Sequence, residues 1–531
     1  MKKIYVVLWS FLVILMAGCY EDKGNYDYKN IDELAISFEK SHYKLTLGEE
    51  LKLNPKINPE VDLAPSRYTF AWYLDGKTRP EWNQRSFSWV ADELLANKYI
   101  ALEITDLTCH VTYMNRVGLT VQGVYEADNS WMILSDTGGK SKLSFFSIQY
   151  DEDKEKYTDP NFIEDVYALV NDEELGHGPI ALQEHFRKGI DWTDNVVGNV
   201  CVFQESGAVD LSGESFAKQV DMIKTFDGGG YPAGVTALWP GTFMDMIDVV
   251  ADQRGRLYSR IKSSALSYNT EYFLPGPLTY GDETAPVEQC QLARGYYRAN
   301  RTGYAFIYDG KNKRMLYILN SGYDDDEIMG IGRLKPLPAC GKSDDPAKIV
   351  PLDHMEGYKL IKMVMCGVSL TGGDKRTSYY GLYLLLQDEL TNDLWLQKVT
   401  VSGSNGKPVV EEVTRWKVSG LPGIPALMTC PLKKPEYIFF AVDHSVYYQN
   451  LNNTDGPVML YKSFDAPVTA LNAETEANKY MAVGLETGDF YLLTITEAQN
   501  VEESKKVIYH SGKKVGRIVD ISYKQMDHWN Y

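Results

Sequence analysis

Seven times between Tyr125 and Tyr531 the chain repeats one unit: an apolar strand, a polar turn and a second apolar strand. The pairs are 131–135 with 143–148, 200–204 with 208–211, 246–251 with 257–260, 305–308 with 314–319, 362–368 with 380–387, 437–442 with 445–450, and 481–484 with 489–495. Most of the turns carry Asp or Gly, as in Asp136-Thr137-Gly138-Gly139, Asp309-Gly310 and Glu486-Thr487-Gly488. The units recur about every 58 residues, somewhat longer than the about 40–50 of WD or kelch blades. A sheet this small cannot bury both of its faces alone. Seven sheets packed radially can, and the ring protects their edges. The repeat therefore predicts a seven-bladed β-propeller-like domain over residues 125–531. Two or more β-sandwiches are the competing architecture, but no seven-strand grouping is visible. There is no WD dipeptide code, so the expectation rests on the period.

Residues 31–123 have a different pattern. Strand candidates fall at 35–38, 43–47, 49–53, 68–74, 85–90, 99–106 and 117–121. In 68–74, Tyr68, Phe70, Trp72 and Leu74 alternate with smaller or more polar neighbours up to the turn pair Asp75-Gly76. About seven short strands in some ninety residues, with Trp on a central strand, predict an Ig-like β-sandwich. With 37 Tyr against 18 Phe and 10 Trp, the composition also leans towards strands. The whole chain is thus expected to be all-β. The exceptions are helical spacing at 161–171 and 180–188, read as an insertion after the first unit, and a further short helix at 214–224.

The N-terminus reads as an address. Met1-Lys2-Lys3 precedes an apolar run from Ile4 to Met16, too short to span a bilayer but long enough for a signal-peptide core. Ala17-Gly18-Cys19 follows and resembles a bacterial lipobox, with Met16 where Leu is usual. The expectation is a signal peptide at 1–18, a lipidated Cys19 and a tether at 19–30. Several acyl chains on one cysteine make a firm anchor. Glu21-Asp22 just after it resembles the surface-export signal of Bacteroidota lipoproteins.

Charge and chemistry mostly exclude. Lys and Arg number 54 and Asp and Glu 72, for a net charge of −18, which disfavours nucleic acid or an anionic membrane surface as partner. The six cysteines after Cys19 are widely spaced and show neither a zinc motif nor a disulfide scaffold, so they read as buried free thiols. No G-x-S-x-G, H-E-x-x-H or P-loop is present. The eight histidines are scattered and none pairs at metal-ligand spacing, so neither a metal nor a cofactor is expected. Asp324-Asp325-Asp326-Glu327 lacks the alternation that aims carboxylates at one Ca²⁺ and reads as a solvated loop. Gly228-Gly229-Gly230 lacks the Lys-Ser/Thr of a phosphate cradle. Tyr231, Trp239, Tyr296, Tyr297, Tyr379 and Tyr380 each read singly as packing residues. Together they are the candidate ligand platform, able to stack on a sugar ring or an aromatic side chain.

The string Cys19-Tyr20-Glu21-Asp22-Lys23-Gly24-Asn25-Tyr26-Asp27-Tyr28, followed by Ile31-Asp32-Glu33, resembles the PKD-like family of Bacteroidota lipoproteins. So does Trp131-Met132-Ile133-Leu134-Ser135 leading to Lys142-Leu143-Ser144-Phe145. Phe70-Ala71-Trp72-Tyr73-Leu74-Asp75-Gly76 departs from the Trp-Asp-Phe-Gly-Asp-Gly style of true PKD domains, so the likeness concerns fold. The resemblance implies a non-enzymatic accessory lipoprotein on the outer-membrane surface. Its implied partners are a TonB-dependent SusC-type porin and a SusD-type lipoprotein, and its role is to bind a glycan or peptide ligand or a partner protein. The alternatives are a propeller-fold polysaccharide lyase or hydrolase acting at the central opening, and a purely structural scaffold.

Overall fold

A computed structural model describes residues 33–59, 63–125, 129–151, 156–157, 160–185, 199–244, 247–261, 272–293, 304–319, 333–368, 379–404, 407–431, 436–474 and 479–524. Cys19, the expected signal peptide at 1–18 and tether at 19–30, Tyr296, Tyr297 and the Asp324–Glu327 run lie outside them. The chain divides into two compact units, Met1–Val121 and Gln122–Tyr531.

The first unit is a β-sandwich. β1 (Ala35–Ser37) pairs with β4 (Lys56–Asn58), and β3 (Glu50–Leu53) pairs with β6 (Phe87–Val90). β2 (His42–Thr46), β8 (Val111–Gln122), β7 (Leu95–Asp106) and β5 (Tyr68–Leu74) form a four-stranded sheet in that order. Period-2 alternation sends Leu51, Leu53, Phe87, Trp89, Ile100, Leu102 and Ile104 into one core. Trp72 is its centre, fully buried, 5.0 Å from the Phe87 ring, with Nε1 donating to the Gln84 carbonyl at 2.9 Å. Asp75 and Gly76 sit at positive φ (48° and 77°), the conformation that a tight hairpin turn matched to strand twist requires. Asp106 closes the β7–β8 turn. Arg67 donates to its Oδ2 from Nε and Nη2 at 3.0 and 2.7 Å, and Thr108 donates to Oδ1 from N and Oγ1 at 2.8 and 2.6 Å. These donors hold the Asp106 carboxyl well below the usual carboxylate range. β4 is additional to the strands expected from the sequence, and β7 and β8 each start several residues before the expected strands at 99–106 and 117–121.

The second unit is a seven-bladed β-propeller. β9 (Ser130–Thr137) and β10 (Lys140–Ser147) form the first hairpin. A minor ladder of β11 (Tyr150–Asp151) and β12 (Lys156–Tyr157) follows, and β13 (Asn161–Ile163) then adds to β10. The second sheet holds β14 (Pro179–His185), β15 (Asn199–Gln204), β16 (Val209–Leu211) and β17 (Lys218–Asp221). The third holds β18 (Leu238–Phe243), β19 (Ile247–Asp252) and β20 (Leu257–Ile261) among the described residues. The fourth holds β21 (Gln291–Leu292), β22 (Tyr304–Asp309), β23 (Arg314–Leu319) and β24 (Leu334–Pro336). The fifth holds β25 (Tyr358–Val368), β26 (Tyr379–Asp388), β27 (Leu394–Ser404) and β28 (Lys407–Val418). The sixth holds β29 (Leu427–Thr429), β30 (Tyr437–Val442), β31 (Ser445–Asn450) and β32 (Met459–Ser463). The seventh holds β33 (Val468–Ala473), β34 (Tyr480–Leu485), β35 (Asp489–Thr494) and β36 (Val507–Lys513).

The last strand, β37 (Arg517–Lys524), returns to pair with β9 and completes the first sheet. Closure is two-sided. Asp520 Oδ2 accepts from Leu182 N in the second sheet at 2.9 Å, and Tyr523 N donates to Asn472 Oδ1 in the seventh at 3.1 Å. Gly484 lets the seventh sheet approach: a Cβ there would lie 2.4 Å from Ile518 Cγ2. Each neighbouring pair of sheets shares one apolar cluster, and the cluster with Trp131, Phe146, Ala482, Phe490 and Ile521 joins the last sheet to the first. Strands in the middle of a blade are buried on both faces. That is why β15, β19, β22 and β34 are buried from end to end and read as continuous apolar runs.

Two helical expectations are corrected. Residues 180–185 belong to β14, whose Ala181, Leu182 and His185 are buried in sheet contacts; 186–188 lie outside the described residues. Residues 214–224 form a turn, β17 and the start of a 3₁₀ helix, Met222–Thr225. In 161–171, β13 precedes a short helix, Val166–Asn171. None of the six described cysteines is bridged; Cys201 and Cys366 are buried and the other four are half-buried.

Candidate functional site

The apolar clusters between neighbouring sheets are interrupted in places by buried polar side chains, such as Thr429 Oγ1, which accepts from Ala473 N between the sixth and seventh sheets at 3.1 Å. The cluster between the second and third sheets has a polar end. Register builds it: His185 on β14 lies opposite Asn199 on β15, and Cys201 on β15 lies opposite Asp210 on β16. Residues two apart on a strand share a face, so Asn199 and Cys201 face the same way. That face packs on the third sheet, where Cys201 and Phe203 meet Phe243, Val250 and Tyr258.

His185, Cys201 and Asp210 are exposed by 2%, 0% and 1%. Asp210 is the hub. His185 Nε2 donates to its Oδ1 at 2.9 Å and Cys201 Sγ donates to the same oxygen at 3.6 Å, while Asn199 Nδ2 lies 3.5 Å from Oδ2. One nitrogen, one sulfur and one oxygen from the three residues all lie within 4.8 Å of one another. The His185 ring is stacked on Phe243, centroids 4.7 Å apart and planes 27° apart, which fixes its orientation. Across the interface, Arg260 Nε donates to Asp248 Oδ2 at 2.8 Å, both side chains being buried. The Arg260 guanidinium also covers the Phe273 ring at 4.7 Å. Gln183 joins the two sheets at the backbone: its Nε2 donates to the Gly241 carbonyl and its Oε1 accepts from Gly241 N, each at 3.1 Å.

Burial first, and Asp210 second, push the Cys201 thiol well above the ordinary cysteine range. In this setting the sulfur carries its proton and is no free nucleophile. The group can hold a proton network rigidly, or exchange that network for a cation bound by nitrogen, sulfur and oxygen.

His185 has no partner at metal-ligand spacing along the sequence, yet Cys201 and Asp210 stand beside it in space. Its partners lie 16 and 25 positions on, on two other strands, and only the pairing register brings them together. The aromatic candidates are dispersed. Tyr231 is half-buried in the cluster between the second and third sheets, edge-on to Phe226 at 5.5 Å, and burial pushes its phenol up to about 12. Trp239, on β18, packs into the cluster between the third and fourth sheets. Tyr379 and Tyr380 lie on β26 in the fifth sheet, opposite Val368 and Gly367. No ring contact joins Tyr231 to Trp239 among the described residues.

Residues 19–179 match the PKD-like family. The match runs through the sandwich and continues past the division at Val121 and Gln122 into the first blade and the start of β14. No curated protein matches the chain. Among solved structures, it is similar to apo AztD from Citrobacter koseri at 10% identity and a TM-score of 0.34, covering 86% of this chain and 97% of that one. It is also similar to the Cps50 (Swd1) β-propeller domain of Myceliophteria thermophila, at 10% identity and a TM-score of 0.31, covering 64% and 88%. A third is BamB from Moraxella catarrhalis, at 10% identity and a TM-score of 0.29, covering 73% and 89%.

Proposed function

We propose that the protein is a non-enzymatic lipoprotein of the outer-membrane surface. It is anchored through Cys19 and serves a TonB-dependent, SusC/SusD-type uptake system by binding a ligand or partner proteins. The observation that carries this reading is the place where the PKD-like match starts: it begins at Cys19, the residue that the lipobox independently marks as the lipidated N-terminus, and not at the first strand of the sandwich. A shared stretch that includes the anchor cysteine and its acidic tether is what a family of surface lipoproteins retains. The propeller suits a binding role, since function in such rings concentrates in loops at the blade ends, held by rigid sheets.

The test is fractionation of cells carrying the full chain or its Cys19→Ala variant. The native protein is expected in the outer membrane, released by detergent and not by high salt. Cys19→Ala is expected to lose nearly all of that association, since no helix among the described residues is long and apolar enough to hold it. A Cys19→Ala variant whose signal segment is removed and which still sediments with membranes contradicts the lipid anchor.

A further inference from the structure

We propose that His185, Cys201 and Asp210 bind one transition-metal ion of the zinc class, between the second and third blades. The donor set comes first. An imidazole nitrogen, a thiolate sulfur and a carboxylate oxygen are the ligands that zinc takes, whereas Ca²⁺ and Mg²⁺ select oxygen alone. The second argument is convergence. His185 Nε2 and Cys201 Sγ both already point at the same atom, Asp210 Oδ1, at 2.9 and 3.6 Å. Ligand atoms around a tetrahedral zinc sit roughly 3.3–3.8 Å apart, given bond lengths of about 2.0–2.3 Å. The three donor atoms lie within 4.8 Å of one another, so small rotations about the side-chain bonds bring them onto one ion.

Charge and rigidity agree. A divalent ion with one thiolate, one carboxylate and one neutral imidazole is locally neutral, and the neighbouring Asp248–Arg260 pair is neutral too. The loaded site therefore leaves no unbalanced charge in the interior. The ligands stand on three neighbouring strands of one blade, and Phe243 holds the imidazole plane. Asn199 beside Asp210 Oδ2 supplies the outer hydrogen bond that orients a ligating carboxylate. Three protein ligands leave a fourth position for water or an exogenous donor. Loading replaces two hydrogen bonds to Asp210 by metal bonds: the thiol proton is released to solvent, and the imidazole changes tautomer, its proton passing from Nε2 to Nδ1.

The experiment uses the full chain, unfolded with chelator and refolded with or without one equivalent of Zn²⁺ or Co²⁺, because a buried site fills as the protein folds. The expected result is one ion retained per chain through gel filtration, a raised melting temperature, and a near-ultraviolet thiolate-to-cobalt charge-transfer band. Cys201→Ser is expected to lose the band, while Cys290→Ser keeps it. Asn199→Ala is expected to weaken binding about 10-fold or more. Variants that fail to refold do not protect the proposal, since it is decided on the native chain as well. Correctly refolded native protein that retains no stoichiometric ion, or X-ray absorption of the zinc form without one sulfur ligand, overturns it. So does a cobalt band that persists in folded Cys201→Ser.

Discussion

A chain ended at Gly516 is expected to lose its propeller. β37 supplies one whole strand of the first sheet, and its pairing with β9 runs from Arg517 opposite Asp136 to Lys524 opposite Ser130. Ile518, Ile521 and Tyr523 are exposed by 0%, 2% and 5%. Burying each such side chain is worth about 1.5–3 kcal/mol. The truncation also uncovers Trp131 and Ile133 and removes the ties that Asp520 and Tyr523 make to the second and seventh sheets. The combined loss is comparable to the whole stability of an ordinary domain, about 5–15 kcal/mol. Near-ultraviolet circular dichroism and limited proteolysis check this. The truncated chain is expected to lose its cooperative transition and to be cut throughout 122–516. A resistant fragment ending near Val121 should survive, because the sandwich core is built from its own residues. Gly484→Val is a milder form of the same lesion, since its side chain collides with Ile518.

The second large effect is expected at Arg260. Asp248 is fully buried and Arg260 nearly so, and their 2.8 Å contact lies inside an inter-blade interface. Breaking a buried pair by removing one member leaves an uncompensated charge and costs about 3–5 kcal/mol. Arg260→Ala should therefore move the urea midpoint strongly downward. Replacing both members with apolar residues of similar volume, Arg260→Met with Asp248→Leu, should recover most of the loss, because the pair as a whole adds little net stability. The exposed Arg79–Asp92 pair of the sandwich is the control. Arg79→Ala should cost about 1 kcal/mol or less. A double variant as unstable as Arg260→Ala contradicts the reading of Arg260 as the partner that makes the Asp248 charge tolerable.

How much of this could be read from the sequence follows burial. Every repeated hairpin lies in its own blade, because mid-blade strands such as β15 and β34 are apolar on both faces and stand out as runs. The edge strands do not. β17, β21 and β24 have two to four residues each, too few for any period to show. β14 shows why 180–188 suggested a helix: Ile180, Ala181 and Leu182 break strict alternation, and the strand carries an irregularity between Pro179 and Ala181. β37 carries no sign in its own residues that it belongs to the first sheet; only ring closure assigns it. The polar cluster was illegible for a related reason. His185, Cys201 and Asp210 occupy three strands, and their meeting depends on a register that spacing along the chain does not reveal. The tyrosine and tryptophan candidates share only their residue type, and Tyr231 and Trp239 pack into different apolar clusters.

The most direct test of the proposed role is affinity purification of the tagged, lipidated protein from outer membranes in mild detergent, followed by mass spectrometry of what accompanies it. Stoichiometric recovery of a TonB-dependent porin with its lid lipoprotein is the predicted result. Recovery of the protein alone, from membranes in which that porin is abundant, contradicts it.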